Sequence, residues 1–463
     1  MKITIENLGP LTYAEFELGD ITIICGKNNT GKTYATYATY GFFDFFNSGY
    51  TLDVSSDIVK SIEDKTTATI KLEPYIACYK KYLKDACTEY STMLDKIFGG
   101  KSELFKSSTF DIQCESIGSC TSNDIEVKAG ASTKSFLSIH KAHGSNELTI
   151  SLSAANTDKD TPPRHLIRDM ISEAIKSSLF GSIFPRPFMA SAERTGSAIF
   201  QKELDFTRNR LVDLLGDKTA SFHPFKLLGK FTSEYPLAVR KNVDFIRELP
   251  NITSRESFIL KDHPEVLAAF ANIIGGEYKV SRDGEVQYVP NANKRIKLKL
   301  VESSSSVRSM LDIGFYLRHI ARRGDLLMVD EPELNLHPEN QRLVARLFAR
   351  LANLGIKVFI TTHSDYIVKE LNTLIMLNRD SKPTNQIAKA ERYEPQEFLS
   401  ADKIRVYIAE EGLIKKDGHT RKSRCQTLVP ASIDRYLGIE AKSFDSTIDT
   451  MNRIQEQIIF SGE

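Results

Sequence analysis

The sequence has no long hydrophobic run and no excess of charge of one sign. Its longest apolar runs are as short as a β-strand, whereas a helix that crosses a bilayer needs about 20 apolar residues. We therefore expect no membrane span, and a role in transport would need other subunits. The formal net charge is +1, so no overall basic field indicates a nucleic-acid ligand, although a local patch remains compatible with this value.

The cysteines also lack a pattern. None of the six forms a Cys-x-x-Cys pair or has the spacing of a zinc site; they stand at Cys25, Cys78, Cys87, Cys114, Cys120 and Cys425. Dispersed cysteines without a recognisable signal peptide are typical of proteins in a reducing compartment. We therefore expect a cytoplasmic protein.

Long-range periodicity is missing as well. No heptad pattern persists, which argues against a long coiled coil, and no repeat of 20–50 residues is present. The length of 463 residues allows two or three domains, or one core interrupted by insertions. We predict a split core formed by residues 1–50 and 291–463. Residues 51–290 would form an inserted α/β region for docking and oligomerisation, from which 185–200 return to the core.

The region 291–378 carries the clearest pattern. It alternates between predicted strands (RIKLKL, LLMVDE, KVFITTH and LIML) and predicted helices (VRSMLDIGFYLRHIA, ENQRLVARLFARLAN and SDYIVKEL). Such alternation is typical of an α/β fold with a doubly wound, mainly parallel sheet. Short alternating stretches at 108–153 predict an additional antiparallel β subdomain, and EYKVSRDGEVQYV (277–289) predicts a hairpin around Asp283-Gly284. The rest of the insertion reads as largely helical, including most of 200–275, and a terminal helix is expected near 446–459.

Residues 26–33, GKNNTGKT, follow the apolar run ITIIC and precede a predicted helix. A G-x-x-x-x-G-K-T motif between a strand and a helix indicates a phosphate-binding loop (P-loop), in which backbone N–H groups face phosphate oxygens. Lys32 would neutralise the β- and γ-phosphates, and the Thr33 hydroxyl would ligate Mg²⁺. We predict that the nucleotide contacts come from Gly26, Lys27, Asn28, Asn29, Thr30, Gly31, Lys32, Thr33 and Tyr34.

Two acids end the predicted strand LLMVDE. Asp330 would help to hold Mg²⁺, and Glu331 would orient or activate the attacking water. His363 ends the next predicted strand at the same edge, where open α/β sheets gather ligands, and would contact the γ-phosphate. Polar residues that merely cap strands are commonplace. Because Asp330, Glu331 and His363 lie downstream of a P-loop, we interpret them as functional residues.

The serine cluster in ESSSSVRSML (302–311) allows two readings. Serines that open a helix are good N-caps. A helix N-terminus also binds phosphate. Because the P-loop already supplies one cradle per chain, a second cradle is expected to serve the nucleotide of another subunit.

These four motifs, in this order, resemble the ATPase heads of the ABC type, and more narrowly the branch that contains OLD-family, RecF-like and SMC-like proteins. The strings GKNNTGKT, SSSSVRSM, DEPELNLHP and ITTHSDYI are similar to those of ATPase subunits of bacterial phage-defence systems such as PARIS and Septu. The resemblance covers residues 1–50, 185–200 and 290–380. It implies a P-loop ABC-ATPase head with ATP and Mg²⁺ as ligands.

The resemblance also assigns roles. It implies that residues 26–33 form the Walker A motif, 326–331 the Walker B motif and Leu336-His337 the D-loop. Ser304, Ser305 and Ser306 would form the signature that contacts ATP in trans, with His363 as the switch histidine. Two heads would then sandwich two ATP molecules. Ser306 stands where the family commonly has glycine, and its Cβ crowds the γ-phosphate.

Further features point in several directions. In ASAERTG (190–196), Glu193 or Arg194 faces the nucleotide or forms an exposed ion pair. Two basic groups would be solvated faces or a nucleic-acid contact; they comprise Lys294, Arg295, Lys297 and Lys299, and Lys415, Lys416, Arg421, Lys422 and Arg424. Beyond residue 380 the sequence shows no DxD cluster, so a nuclease activity would have to come from another chain.

The sequence therefore predicts a cytoplasmic ATPase that forms at least a homodimer through ATP-sandwiching heads and hydrolyses ATP slowly. It would control a separately encoded effector, a nuclease or toxin, in antiviral defence. One alternative is an SMC- or RecF-like ATPase of DNA maintenance that binds DNA directly. Another is a monomeric kinase-like P-loop enzyme.

Overall fold

The computed structural model describes residues 1–65, 67–116, 125–131, 134–152, 164–199, 235–281, 284–379, 381–414, 422–439 and, apart from 452 and 456, 450–457. The chain divides into two compact units. The first comprises described residues of Met1–Ile3, Phe42–Thr92 and Phe110–Arg186, and the second those of Thr4–Gly41, Met93–Thr109 and Pro187–Glu463.

The strands are numbered along the chain. They are β1 Lys2–Leu8, β2 Leu11–Glu17, β3 Ile21–Gly26, β4 Thr67–Lys71, β5 Thr109–Gln113, β6 Ile125–Ala131, β7 Lys134–Lys141, β8 Glu147–Leu152, β9 Pro187–Ala190, β10 Gly276–Val280, β11 Val286–Pro290, β12 Leu298–Lys299, β13 Leu326–Asp330, β14 Lys357–Thr362, β15 Ile404–Ile414, β16 Ser423–Pro430, β17 Ile433–Asp434 and β18 Gly438–Ile439.

The α-helices are numbered in the same way. They are α1 Lys32–Ser48, α2 Ser56–Lys65, α3 Glu73–Ala77, α4 Tyr79–Ser91, α5 Leu94–Phe98, α6 Arg164–Phe180, α7 Arg194–Ile199, α8 Leu237–Ile252, α9 Phe258–Asp262, α10 Pro264–Ile274, α11 Ser305–Ser309, α12 Leu311–Phe315, α13 Pro338–Asn353, α14 Asp365–Leu377 and α15 Lys382–Ala390.

The second unit is built on a sheet of order β16-β15-β3-β14-β13-β9. Five of its strands run parallel to one another, namely β9, β13, β14, β3 and β15. The sixth, β16, pairs antiparallel with β15. The central strands are buried along almost their whole length, as expected where helices cover both faces of a parallel sheet. The predicted mainly parallel α/β sheet is therefore confirmed.

Helices α13 and α14 contribute most of the helical surface in the core of this unit. The buried side chains of α13 recur at helical spacing, and Val344, Leu347, Phe348 and Leu351 pack in one cluster with residues of β3, β13 and β14. His337 caps the helix, and Pro338 occupies its first turn, where the missing N–H costs nothing. This packing fixes the carboxyl ends of the strands, where the candidate site lies.

The first unit has its own sheet and core. Its antiparallel sheet has the order β4-β8-β7-β6, so the strands predicted for the later part of 108–153 are present as antiparallel neighbours, whereas β5 belongs to another sheet of order β2-β1-β5. An aromatic cluster packs between the end of α1 and α6, with Phe46, Phe180 and Phe184 in mutual ring contact. Lys176 donates hydrogen bonds to the carbonyl oxygens of Phe46 and Tyr50, which satisfies an otherwise costly buried ammonium.

Three local predictions are wrong. LIML was expected to form a strand but is the last turn of α14, in which Leu374 and Ile375 are buried. RIKLKL was expected to be a strand, yet only Leu298–Lys299 pairs with β11. The single helix expected for VRSMLDIGFYLRHIA is divided into α11, α12 and a π-helical turn at Tyr316–Ile320.

Other predictions are confirmed or lie outside the described residues. The hairpin at 277–289 forms as β10 and β11, with Gly284 at φ +77°. Three predicted features lie wholly or partly outside the described residues: the basic segment 415–421, residues 200–234 of the mostly helical stretch expected at 200–275, and parts of the expected terminal helix. In the part of the chain that is described, no helix has the length and apolarity needed to cross a membrane.

Candidate functional site

The loop between β3 and α1 has the backbone geometry that a P-loop needs. Gly26 and Gly31 have φ values of +138° and +97°, and a Cβ at Gly26 would lie 2.7 Å from the carbonyl oxygen of Ala409. Both positions therefore require glycine. Asn29 also adopts a left-handed conformation at φ +63°, which asparagine tolerates better than most residues. The exposed Lys27, Asn28 and Asn29 leave the rim of the loop accessible.

Lys32 opens α1 and is the only cation of the loop that is buried, at 5% exposure. Its Nζ donates hydrogen bonds to the carbonyl oxygens of Gly26 at 3.1 Å and Lys27 at 2.7 Å. Burial lowers the pKa of Lys32, while the negative charges of Glu331 and Asp330 oppose that shift. The ammonium group is thus held at the loop among acids, where phosphate oxygens would replace its carbonyl partners.

The P-loop and the acids Asp330 and Glu331 meet at one edge of the sheet. Asp330 lies opposite Thr361 in the register, and Thr361 lies opposite Ile24 at the end of β3. Two strand spacings, about 9–10 Å, therefore separate the backbone of Asp330 from that of Ile24. The predicted convergence of P-loop and LLMVDE strand is an observed feature of the fold.

Asp330 is 1% exposed. Its Oδ1 accepts a hydrogen bond from the Thr361 hydroxyl, and no described residue donates to its Oδ2. Burial raises the pKa of Asp330 to about 6, and the hydrogen bond from Thr361 opposes this shift. A buried carboxylate oxygen without a donor is suited to a cation or to the water ligands of one.

Glu331 adopts a left-handed backbone conformation, with φ at +51°. Its N–H is fixed by the carbonyl and hydroxyl oxygens of Thr361, at 3.1 and 3.2 Å. Non-glycine residues in this region of backbone space are uncommon and occur preferentially at functional sites. The strand β13 thus ends at Asp330, and the backbone turns at Glu331.

His363 lies beside Glu331, with Nε2 3.6 Å from Oε1 and both side chains about one third exposed (30% and 32%). Burial and the charge of Lys32 lower the pKa of His363. The imidazole is therefore neutral at pH 7, with one N–H to donate. The structure thus brings the three predicted chemical residues, Asp330, Glu331 and His363, to one edge.

Glu333 was not predicted and holds the histidine segment in place. One carboxylate oxygen accepts the N–H of His363 at 2.6 Å, and the other accepts the Thr362 hydroxyl at 2.9 Å. Burial raises the pKa of Glu333, and these hydrogen bonds oppose the shift. The second glutamate of DEPEL, which is Glu333, was the available signal in the sequence, but nothing local identified its partners.

The Leu336-His337 segment is connected to the histidine segment through Gln341. Its Nε2 donates to the carbonyl of Leu336 at 2.9 Å, and its Oε1 accepts the Ser364 hydroxyl at 2.6 Å. Leu336 is buried, whereas His337 is exposed and caps α13. Gln341 is therefore a second contact that the sequence did not reveal.

The serine cluster does cap a helix, as the first reading expected. The Ser304 hydroxyl accepts the N–H of Val307 at 3.4 Å and lies 2.8 Å from the Ser306 hydroxyl. Arg308 donates to the Ser305 hydroxyl at 3.2 Å. Ser304 and Ser305 are exposed and Ser306 is half-buried, so the cluster faces solvent.

The arginine of the ASAERTG segment contradicts one of the two readings, that of an exposed ion pair. Arg194 is 1% exposed and therefore forms no exposed ion pair. It donates hydrogen bonds to the carbonyls of Asp330 and Glu331, at 2.7 and 2.9 Å. Glu193 is exposed and accepts the Tyr37 hydroxyl at 2.9 Å.

The residues present fit Mg²⁺ held together with nucleotide phosphates. The exposed Thr33 hydroxyl at the start of α1 and the unpaired Asp330 Oδ2 are the oxygen ligands that the chain offers. Within the described residues, no group of three or more His, Cys, Asp or Glu side chains could hold a metal. Mg²⁺ usually keeps several waters and binds through one or two protein oxygens plus phosphates, which agrees with this donor set.

A buried carboxyl group near Arg194 gives a pH-dependent prediction. Burial raises the pKa of Asp312 from 3.8 to about 7, although Arg194 opposes the shift. Between these pH values the folded chain binds more protons than the unfolded chain, so this group lowers stability as pH rises. We expect the melting temperature of Asp312→Asn to rise relative to that of the wild type between pH 5.5 and 7.5, because the wild type loses at most about 1.4 kcal/mol of unfolding free energy per pH unit through this group. If the melting temperatures of the two proteins changed in parallel with pH, the raised pKa of Asp312 would be contradicted.

The comparisons with known proteins identify an ATPase domain in this chain. A family model described as "AAA ATPase domain" matches residues 1–162 and 232–368. No curated protein matches the chain significantly.

Solved structures of SMC head domains are among the matches to the fold. The SMC head domain from Thermotoga maritima is 10% identical, with a TM-score of 0.31, and the match covers 93% of this chain and 98% of that one. An Smc head domain with an extended coiled coil, bound to the C-terminal domain of ScpA derived from Pyrococcus furiosus, is 10% identical with a TM-score of 0.30; the match covers 98% of each chain. The family match, which spans more than half of the chain, shows that this protein belongs to the AAA ATPase domain family.

Proposed function

We propose that this chain is an ATP-switched homodimer in which each ATP is bound between the P-loop of one subunit and Ser304–Ser306 of the other. The observation that carries the proposal is the separation of two phosphate-binding elements. Within the described residues, the serines form hydrogen bonds only locally and none to residues 26–33 of the same chain. Because the serines face solvent, a second subunit could present its nucleotide to them.

The residues at the sheet edge support hydrolysis of the bound ATP. The Glu331 carboxylate orients the attacking water and accepts its proton as oxygen bonds to the γ-phosphorus and ADP leaves. The neutral His363 donates to a γ-phosphate oxygen, and Lys32 compensates charge on the phosphates. Mg²⁺, when bound by Thr33 and Asp330, would supply further charge neutralisation.

Slow turnover follows from the signature. The Cβ of Ser306 stands where a glycine would allow closer approach of backbone N–H groups to the γ-phosphate. Its hydroxyl is engaged with Ser304, so the cluster is ordered before ATP arrives. A long-lived ATP-bound dimer suits a protein that switches between two assembly states better than one that hydrolyses ATP rapidly.

Ser305→Arg tests the contact between subunits. The exposed side chain makes no core contact, so the variant should fold and bind ATP with wild-type affinity. The larger, positively charged side chain should block docking of the second subunit, so ATP-dependent dimerisation is lost. Hydrolysis should then fall by at least about 10-fold, which corresponds to an increase of about 1.4 kcal/mol in the activation barrier. Analytical ultracentrifugation and nucleotide titration measure the two effects separately.

Ser254→Arg provides a matched control, because it makes the same change at an exposed serine outside the Ser304–Ser306 cluster. It should leave assembly and turnover unchanged. Unaltered hydrolysis in Ser305→Arg would instead favour a monomeric kinase-like enzyme.

The downstream role in our proposal is control of a separately encoded effector, a nuclease or toxin, in antiviral defence. This part rests on the similarity of GKNNTGKT, SSSSVRSM and DEPELNLHP to defence ATPases. The test is co-purification of the product of a neighbouring gene with this chain, and its release on ATP addition. Salt-dependent DNA binding by the purified chain alone would instead support a DNA-maintenance ATPase.

A further inference from the structure

One buried arginine joins the signature segment to the catalytic acids. The Nε of Arg194 donates to the carbonyl oxygen of Ser309 at 2.7 Å, at the last residue of α11. One terminal nitrogen donates to the carbonyls of Ser191 and Asp330, both at 2.7 Å, and the other donates to Glu331 at 2.9 Å. A single guanidinium group thus bonds to three segments of the chain.

The placement of this cation is costly. Arg194 is 1% exposed, and its described hydrogen-bond acceptors are all backbone carbonyls. Burial lowers its pKa, whereas the nearby charges of Asp312 and Asp330 oppose the shift. Because all these acceptors belong to the backbone, the planar guanidinium group holds the backbone of the three segments in place, whatever their side chains.

The segments on either side of Arg194 would act on different nucleotides. In the proposed dimer, Ser304–Ser306 of one subunit contact the ATP that the other subunit binds. Asp330 and Glu331 act on the ATP of their own subunit. Ser305, Ser306 and Ser309 belong to the same five-residue helix, and Ser304 is its N-cap. A displacement of the serine cluster therefore moves the carbonyl that Arg194 holds.

We propose that Arg194 is a positioning residue that couples the two ATP sites of the dimer. Docking of the signature on one ATP is transmitted through the Arg194 guanidinium to the backbone of Asp330 and Glu331, which aligns these acids on the other ATP. This inference rests on the proposed dimer and adds a route for cooperativity between its sites.

Arg194→Lys is the direct test. Lysine keeps the charge, but one ammonium group cannot span carbonyls of three segments in a planar arrangement. The expected result is a KM for ATP within about 3-fold of the wild type and a kcat lower by about 30-fold, since small misplacements of reacting groups cost up to ~10²-fold. The Hill coefficient for ATP should fall from above one to one.

Ser309→Ala is the matched control. The Ser309 hydroxyl donates to the carbonyls of Ser306 and Leu334, at 3.0 and 3.1 Å. Alanine removes these bonds at the same buried position but keeps the carbonyl that Arg194 binds. Cooperativity should therefore persist in this variant.

The outcomes separate the two proposals. A wild-type protein that hydrolyses ATP without cooperativity and stays monomeric contradicts the dimer itself. A cooperative wild type together with an unchanged Hill coefficient and kcat in Arg194→Lys overturns the role of Arg194 alone.

A second measurement avoids any change at the buried arginine. Amide hydrogen exchange is compared between ATP-bound Glu331→Gln and ATP-bound Glu331→Gln/Ser305→Arg. Slower exchange at residues 190–196 only in the first protein is expected, because only its signature is docked. Equal exchange in both proteins would overturn the coupling.

Discussion

Lys32→Ala should bind no ATP at concentrations that saturate the wild type, and its hydrolysis should fall to background. Lys32 is the buried cation of the P-loop, held 3.1 and 2.7 Å from two loop carbonyls and close to the charges of Glu331 and Asp330. Its removal leaves these acids facing the nucleotide phosphates without compensation. Loss of a charge-assisted bond and unopposed repulsion together weaken binding by at least ~100-fold, or about 2.7 kcal/mol.

Lys389→Ala is the control for this experiment. Lys389 carries the same charge, but its side chain is exposed in α15, outside the P-loop. Titration with a fluorescent ATP analogue should give an affinity within about 3-fold of the wild type, as for an ordinary surface charge. Retained hydrolysis in Lys32→Ala would remove the basis for the P-loop assignment.

Glu331→Gln should still bind ATP but hydrolyse it ~10²–10⁴-fold more slowly, which is the usual contribution of a positioned base. Glutamine is isosteric and can keep the left-handed backbone and the bonds from its N–H to Thr361. It cannot accept the proton of the attacking water. Single-turnover assays with radiolabelled ATP measure this loss independently of binding.

Glu339→Gln makes the same chemical change at an exposed carboxylate in the first turn of α13. It should hydrolyse ATP at the wild-type rate. If Glu331→Gln also kept that rate, another group would have to serve as the base.

The main features of the site could be predicted because they are local or follow from topology. The P-loop glycines and Lys32 are defined by their spacing within residues 26–33. Asp330 and His363 follow adjacent predicted strands, and parallel strands bring their carboxyl ends to one edge. The observed register from Asp330 through Thr361 to Ile24 shows this convergence.

The supporting contacts could not be predicted because they join residues far apart in the sequence. Arg194 binds carbonyls more than 100 positions away, and nothing in ASAERTG specifies them. Glu333 and Gln341 are ordinary polar residues until the fold places His363 and Ser364 beside them.

The wrong secondary-structure predictions have a different cause. A short apolar run such as LIML is compatible with a strand or with the buried face of a helix, and periodicity alone cannot decide between them. Here α14 continues to Leu377, because Leu371, Leu374 and Ile375 pack on the same core as the sheet.

The molar mass of Glu331→Gln in solution, with and without Mg-ATP, tests the central claim most directly. Light scattering on a size-exclusion column should give one chain, 52.1 kDa, without nucleotide, and at least twice that mass with ATP. When Ser305→Arg or Lys32→Ala is introduced as a second substitution in Glu331→Gln, ATP should no longer increase the molar mass. A mass that ATP leaves unchanged, in a protein shown to bind ATP, would contradict the ATP-sandwiched dimer.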